Sequence, residues 1–297
     1  MNQNTTAVEL IPQDVGEIVS SLVKVKLRIG GAATSVRSRE LSGETARAHG
    51  AKEQDITTQI KWLAREYTAD IGAAYSRLRS GFNARTLPWE DGGYRAVPAD
   101  RYQALCDFVA EAGEQYRAAG QKVADEWDAA IAEAKGRLNG LMAKMNIPSR
   151  DEFISAFAFD FRSDVIVAPA DMRVAGIAEA QISRIRAQAE ADYADRIQNG
   201  VDSMLATLTE LLTDLVGRTG KEKQDGVRYG GWAERAKKAV AAMRHLNITD
   251  DARLAGLLDR VKLIAEGMDA EAVRENGRER AKVRTDAVDA LDCFGVK

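Results

Sequence analysis

Histidine, cysteine and paired carboxylates are the usual carriers of chemistry, and this chain of 297 residues offers few of them. His49 and His245 have no cysteine, histidine or carboxylate beside them at metal-ligand spacing. Cys106 and Cys293 lie far apart on helical stretches and read as reduced packing groups. Glu90-Asp91 is the one carboxylate pair in an aromatic setting, suited to a metal or to acid–base work, but without a nearby histidine it reads equally as solvated or capping. The glycine-rich run from Gly30 to Arg39 lacks the spacing of a phosphate loop, and Gly220-Lys221 is followed by Glu222 where a hydroxyl residue is needed. No nucleophile elbow, dinucleotide fingerprint or zincin pattern occurs. The expectation is a non-enzyme with no catalytic residue, no metal and no cofactor.

Binding chemistry is better represented. Gly81–Pro98 packs Phe82, Trp89, Tyr94 and Arg95 together with Glu90 and Asp91, a density of aromatics that must be held against the protein's own core or against a partner. These six residues are the candidate partner-binding set. Two basic groups form a nucleic-acid alternative: Lys24, Lys26 and Arg28, alternating on a strand, and Arg274, Arg278, Arg280, Lys282 and Arg284 near the C-terminus. The strand cations also serve to protect a sheet edge, and Glu275 and Glu279 dilute the second group. A formal net charge of −3 argues for neither nucleic acid nor a membrane surface.

The elements that must position these residues are mainly helical. Apolar residues recur in steps of three and four from Tyr102 to Met145 and again from Ile182 to Leu215, both stripes being rich in alanine. Runs of fours, such as Ala119-Val123-Trp127-Ile131, interrupt the strict heptad. The expected fold is mainly α, with segments of about 99–145 and 171–216 forming a long antiparallel coiled-coil-like hairpin, each arm roughly 65–70 Å long. Val23–Ile29 alternates apolar and basic residues, and 153–167 carries phenylalanines on odd positions, so these form a small β element in which 23–29 pairs with 157–161. Helices are also expected over Pro12–Leu22 and Asp55–Ser80. The domain expectation is a hairpin domain over 12–216, a mobile linker over 217–231 and a C-terminal helical region over 232–297 made of Trp232–Leu246, Asp250–Gly267 and Ala270–Cys293. Thr249-Asp250-Asp251 caps the middle helix. Met1–Ala7 is polar without an export pattern, and no apolar run is long enough for a bilayer, so a cytoplasmic location is expected, the host's if phage-encoded.

Trp62–Tyr67, the Leu87–Pro98 loop, a long helix with Tyr102, Phe108 and Tyr116, and Phe157-Ala-Phe-Asp-Phe-Arg162 together resemble an uncharacterised family of helical proteins from bacteriophages, plasmids and some bacteria. The resemblance covers about residues 20–215 and transfers no catalytic residue. Members of that family are often encoded beside an AAA+ ATPase similar to the MoxR and cobalt-chelatase types and beside a von Willebrand A-type protein. It implies a scaffold or adaptor of a mobile element that engages a protein partner such as an AAA+ ATPase and can self-associate as a homo-oligomer. DNA end protection or a recombination accessory role is the alternative. A phage factor that blocks host defence is a further one that no residue favours or excludes.

Overall fold

The computed structural model describes residues 15–220 and 229–293. In chain order these form α1 (Val15–Ser20), β1 (Leu22–Ile29), β2 (Ser35–Ser38), α2 (Arg39–Ala48), β3 (Thr58–Lys61), α3 (Arg65–Ala84), β4 (Leu87–Glu90), β5 (Tyr94–Pro98), α4 (Tyr102–Asp125), α5 (Trp127–Leu138), α6 (Arg150–Ala156), β6 (Phe159–Val165), α7 (Glu179–Thr219), α8 (Tyr229–Arg244), α9 (Ala252–Gly267), α10 (Ala270–Glu275) and α11 (Gly277–Cys293). The fold is mainly α with a small antiparallel β element. Four strands lie in the order β4-β5-β1-β6, and β2 and β3 pair separately. The expected neighbours β1 and β6 are adjacent. No described helix is long and apolar enough to cross a membrane.

The chain divides into two compact units: a larger one from the described residues of 1–26, 84–102 and 163–297, and a smaller one from 27–83 and 103–162. Neither expected boundary, 216 or 232, coincides with this division. Residues 221–228 of the expected linker, 12–14 of the expected first helix and 294–297 lie outside the described residues.

In the smaller unit the α4 stripe buries Leu105, Val109, Ala112, Tyr116, Ala119 and Val123. What covers its small residues is aromatic. A β-carbon added at Gly120 would lie 2.6 Å from the Phe157 ring, and one at Gly113 would collide with Phe159. Trp62, Trp127, Phe153 and Phe157 continue the cluster, with ring centroids 5.0–6.1 Å apart. Trp62 Nε1 donates to Ala33 O at 2.9 Å, and Arg137 donates to Trp62 O at 2.8 Å, so the buried polar atoms of the cluster are paired.

In the larger unit α7 buries Ile197, Val201, Met204, Leu208, Leu212 and Leu215. All of these but Ile197 join Trp232, Val240, Leu254, Leu257, Leu258, Val261 and Ala287 from α8, α9 and α11 in one core. Trp232 Nε1 donates to Leu211 O at 2.7 Å.

The hairpin expectation is thereby corrected. The two long segments belong to different units, and each stripe is covered by neighbours of its own unit, rings for α4 and the C-terminal helices for α7. The first segment is also broken: Glu126 adopts non-helical angles between α4 and α5, inside the run of fours, and the chain leaves α5 at Asn139 with φ 46°. The expected strand 153–167 is shortened at its start, because Ser149 and Glu152 form a capping box that launches α6 and places Phe153 on a helix. The expected helix 55–80 begins ten residues late, after β3, and the C-terminal helix divides at Asn276.

Candidate functional site

The aromatic–acidic stretch is a β-hairpin of the larger unit. Gly92 and Gly93, with φ of 75° and 83°, turn the chain between β4 and β5. β5 pairs antiparallel with β1, Lys24 opposite Ala96 and Lys26 opposite Tyr94. An irregularity between Pro88 and Glu90 shifts the β4 register.

This hairpin aligns a charged chain of contacts. Glu90 accepts a hydrogen bond from Arg196 of α7 at 3.0 Å and lies 4.0 Å from Lys24. Lys24 also lies 3.5 Å from Asp164. The Arg196 guanidinium stands 5.7 Å from the Trp89 ring and 5.5 Å from Tyr193, two rings whose centroids are 5.6 Å apart. Lys26 Nζ sits 4.3 Å above the Tyr94 ring. Two cations meet two carboxylates, so the arrangement cancels its own charge and fixes the hairpin to α7.

The six candidate partner-binding residues therefore do different work. Trp89 is buried against Ile18, Val19, Leu22, Ala96 and Ile197, so of the two settings open to the aromatics it takes the protein's own core. Phe82, in the smaller unit, is likewise buried, edge-on to Phe161 at 6.3 Å. Glu90 is committed to Arg196, Tyr94 lies under Lys26, and Arg95 donates to both Thr86 Oγ1 and Thr86 O at 2.6 Å. Asp91 alone is exposed, at the turn.

The basic candidates are dispersed in the same way. Lys24 is ion-paired and Lys26 is stacked, while Arg28 is exposed. Arg274 is ion-paired with Glu271 and Glu275. Arg280 donates to the carbonyls of Val273 and Arg274, and Arg284 to that of Val216, which satisfies helix ends. Arg278 and Lys282 remain exposed and do not make a phosphate-tracking stripe.

Two pockets were candidates for chemistry. One of about 250 Å³ in the smaller unit is lined by Glu66, Tyr67, Asp70, Lys122 and Glu126. Burial and then the charges of Glu66, Glu126 and Glu133 push the Tyr67 phenol up, so it keeps its proton. Lys122 donates to Asp70 at 2.8 Å, and that hydrogen bond raises its ammonium above the ordinary range. The other, on α7 and α8, centres on Asp214, held by Arg218 at 2.9 Å and Arg235 at 2.8 Å. Burial pushes the Asp214 carboxyl up, but the two arginine hydrogen bonds outweigh it and leave it below the usual range. The first pocket pairs Lys122 with Asp70 and the second pairs Asp214 with two arginines, and no group of three metal-ligating side chains occurs among the described residues.

What the sequence reading missed is apolar and exposed. Of the seven large hydrophobics exposed among the described residues, five fall within twenty-one residues: Val165, Val167, Val174, Ile177 and Ile185. The strap from β6 to α7 is pinned alongside the helix, with Tyr193 donating to Val167 O at 3.3 Å and Arg186 to Met172 O at 3.1 Å. Arg186 also pairs with Glu179 at 2.9 Å. The run Val165-Ile166-Val167 was visible in the sequence, but all of it was assigned to the β element over 153–167. Comparison of the chain with protein-family models, with curated proteins and with solved structures finds no match.

Proposed function

We propose that the chain is a non-enzymatic helical scaffold or adaptor that engages a protein partner through the strap 165–178 and the first turns of α7. The observation that carries this reading is the concentration of exposed Val165, Val167, Val174, Ile177 and Ile185 on one pinned segment. Exposed apolar side chains gathered on one segment mark interaction surfaces, because leaving them in water costs roughly 25 cal/mol per Å². The aromatic hairpin supports the surface from behind by fixing Tyr193 and Arg196. The partner class offered by the family resemblance is an AAA+ ATPase of a mobile element, in the cytoplasm.

The test is affinity purification of the tagged chain from its native cytoplasm, with co-purifying proteins identified by mass spectrometry. The expected result is a stoichiometric AAA+ ATPase that is lost with the folded double variant Val167→Asp/Ile177→Asp. A clean monomer that retains no protein contradicts the proposal.

A further inference from the structure

The larger unit carries a second surface, distinct from the strap. Between α9 and α11 runs a groove of about 390 Å³. Its floor is apolar: Val273 and Val283 are buried, and Ile264 and Met268 pack beside them as part of the same core. Leu263 stands on its lip with 73 % of its surface in water, on a helix whose other leucines, Leu254, Leu257 and Leu258, are buried. A leucine this exposed beside an apolar floor extends the apolar surface out of the core.

The walls are charged unequally. Asp269 and the α11 residues Glu279, Asp286 and Asp289 line it with two cations, Arg260 of α9 and Lys282 of α11. Asp269 is occupied as the cap of α10, accepting from the amides of Glu271 and Ala272 at 2.9 and 3.2 Å. Glu279, Asp286 and Asp289 make no hydrogen bond or ion pair with any described residue. They recur on α11 at helical spacing, over a length of about 15 Å at ~1.5 Å per residue. Elsewhere on this unit Asp214, Asp251 and Asp259 are each held by an arginine. Among the described residues the α11 carboxylates have no partner.

We infer that this groove docks a basic amphipathic helix of a protein partner, about three turns long. Its apolar side chains at i, i+3 or i+4, and i+7 would seat on Leu263, Ile264 and Met268, and its lysines or arginines would meet Glu279, Asp286 and Asp289. Carboxylates on the rim steer such a ligand and select against an acidic one, while the apolar floor holds it. The inference takes from the proposed function only the class of ligand, a protein segment. It uses a different surface, so the two fail separately.

The test uses the full chain and two fluorescein-labelled peptides, one of leucine and lysine at helical spacing and one of leucine and glutamate. Fluorescence anisotropy should show saturable one-to-one binding of the leucine–lysine peptide and binding at least about tenfold weaker for the other. Leu263→Asp and, separately, Asp286→Lys/Asp289→Lys should each weaken the first peptide by about tenfold or more, with helical content unchanged by circular dichroism. Val167→Asp/Ile177→Asp should leave it unchanged. Equal binding of both peptides, or undiminished binding to Leu263→Asp, overturns the inference. So does a dimer in light scattering that Leu263→Asp dissolves, because the groove's occupant would then be a second copy of the chain.

Discussion

Trp89 shows what a single side chain does here. Its ring fills the space between α1, β5 and α7 and supports the Arg196 guanidinium, yet its Nε1 is buried with no acceptor among the described residues. An unmet buried donor costs about 1–3 kcal/mol, against the large apolar gain of the ring. Trp89→Ala should therefore lose about 3–5 kcal/mol. Trp89→Phe removes the orphan donor and should stay within about 1 kcal/mol of the parent, both read by urea unfolding. Asp251 works the opposite way, through polar atoms. It caps α9 by accepting from the amides of Arg253 and Leu254 at 2.8 and 3.0 Å. Burial raises its carboxyl, but the Arg253 hydrogen bond and the two amides prevail, and the folded value lies below that of the unfolded chain. A depressed folded value means that its stabilisation is complete above the ordinary aspartate range, about 3.9, and disappears as pH falls through the folded value. Asp251→Ala should cost about 1 kcal/mol at neutral pH and flatten stability against pH on the acid side. The cap was legible from Thr249-Asp250-Asp251, because its partners are two and three residues away. Trp89's surroundings were not, since Tyr193 and Ile197 lie a hundred residues further on.

At the scale of elements, spacing alone located stripes but not what covers them. The alanines and glycines of α4 have the pattern of a helix–helix seam, and a ring fits a shallow groove as well as a second helix does. Gly120 decides between these in stability terms. Alanine is the better helix former by about 1 kcal/mol. A β-carbon there would nevertheless lie 2.6 Å from Phe157, so overpacking should dominate. Gly120→Ala should lower stability by about 1–3 kcal/mol in a thermal or urea melt, and a gain would contradict the aromatic packing. The alternation of β1 and its pairing with β6 were readable because period two is unambiguous over seven residues. Residues 153–158 were misread because phenylalanines four apart suit a strand and a helix equally, and the Ser149–Glu152 capping signature was the signal that separates them. β3, four residues long, fell inside an apparent helical stripe, where a segment so short leaves periodicity no power.

For the whole molecule, exposure distributes the roles. Of the candidates chosen for aromatic richness, Phe82 and Trp89 proved buried, because large rings gain most by leaving water. The exposure of the strap's apolar side chains was not legible in the sequence, since valine and isoleucine appear identical whether they face water or core. The α9–α11 groove was equally hidden: its carboxylates and its leucine become one surface only when the C-terminal helices pack on α7. These features support a protein that works by holding others, with two separable surfaces of different chemistry. The most direct measurement of that claim places a photoreactive benzoylphenylalanine at position 177 of the full chain, with position 111 on the exposed face of α4 as control, followed by irradiation in the native cytoplasm. A single protein crosslinked at 177 and absent at 111 is the predicted result. No crosslinked protein at 177, or the same pattern at both positions, would contradict it.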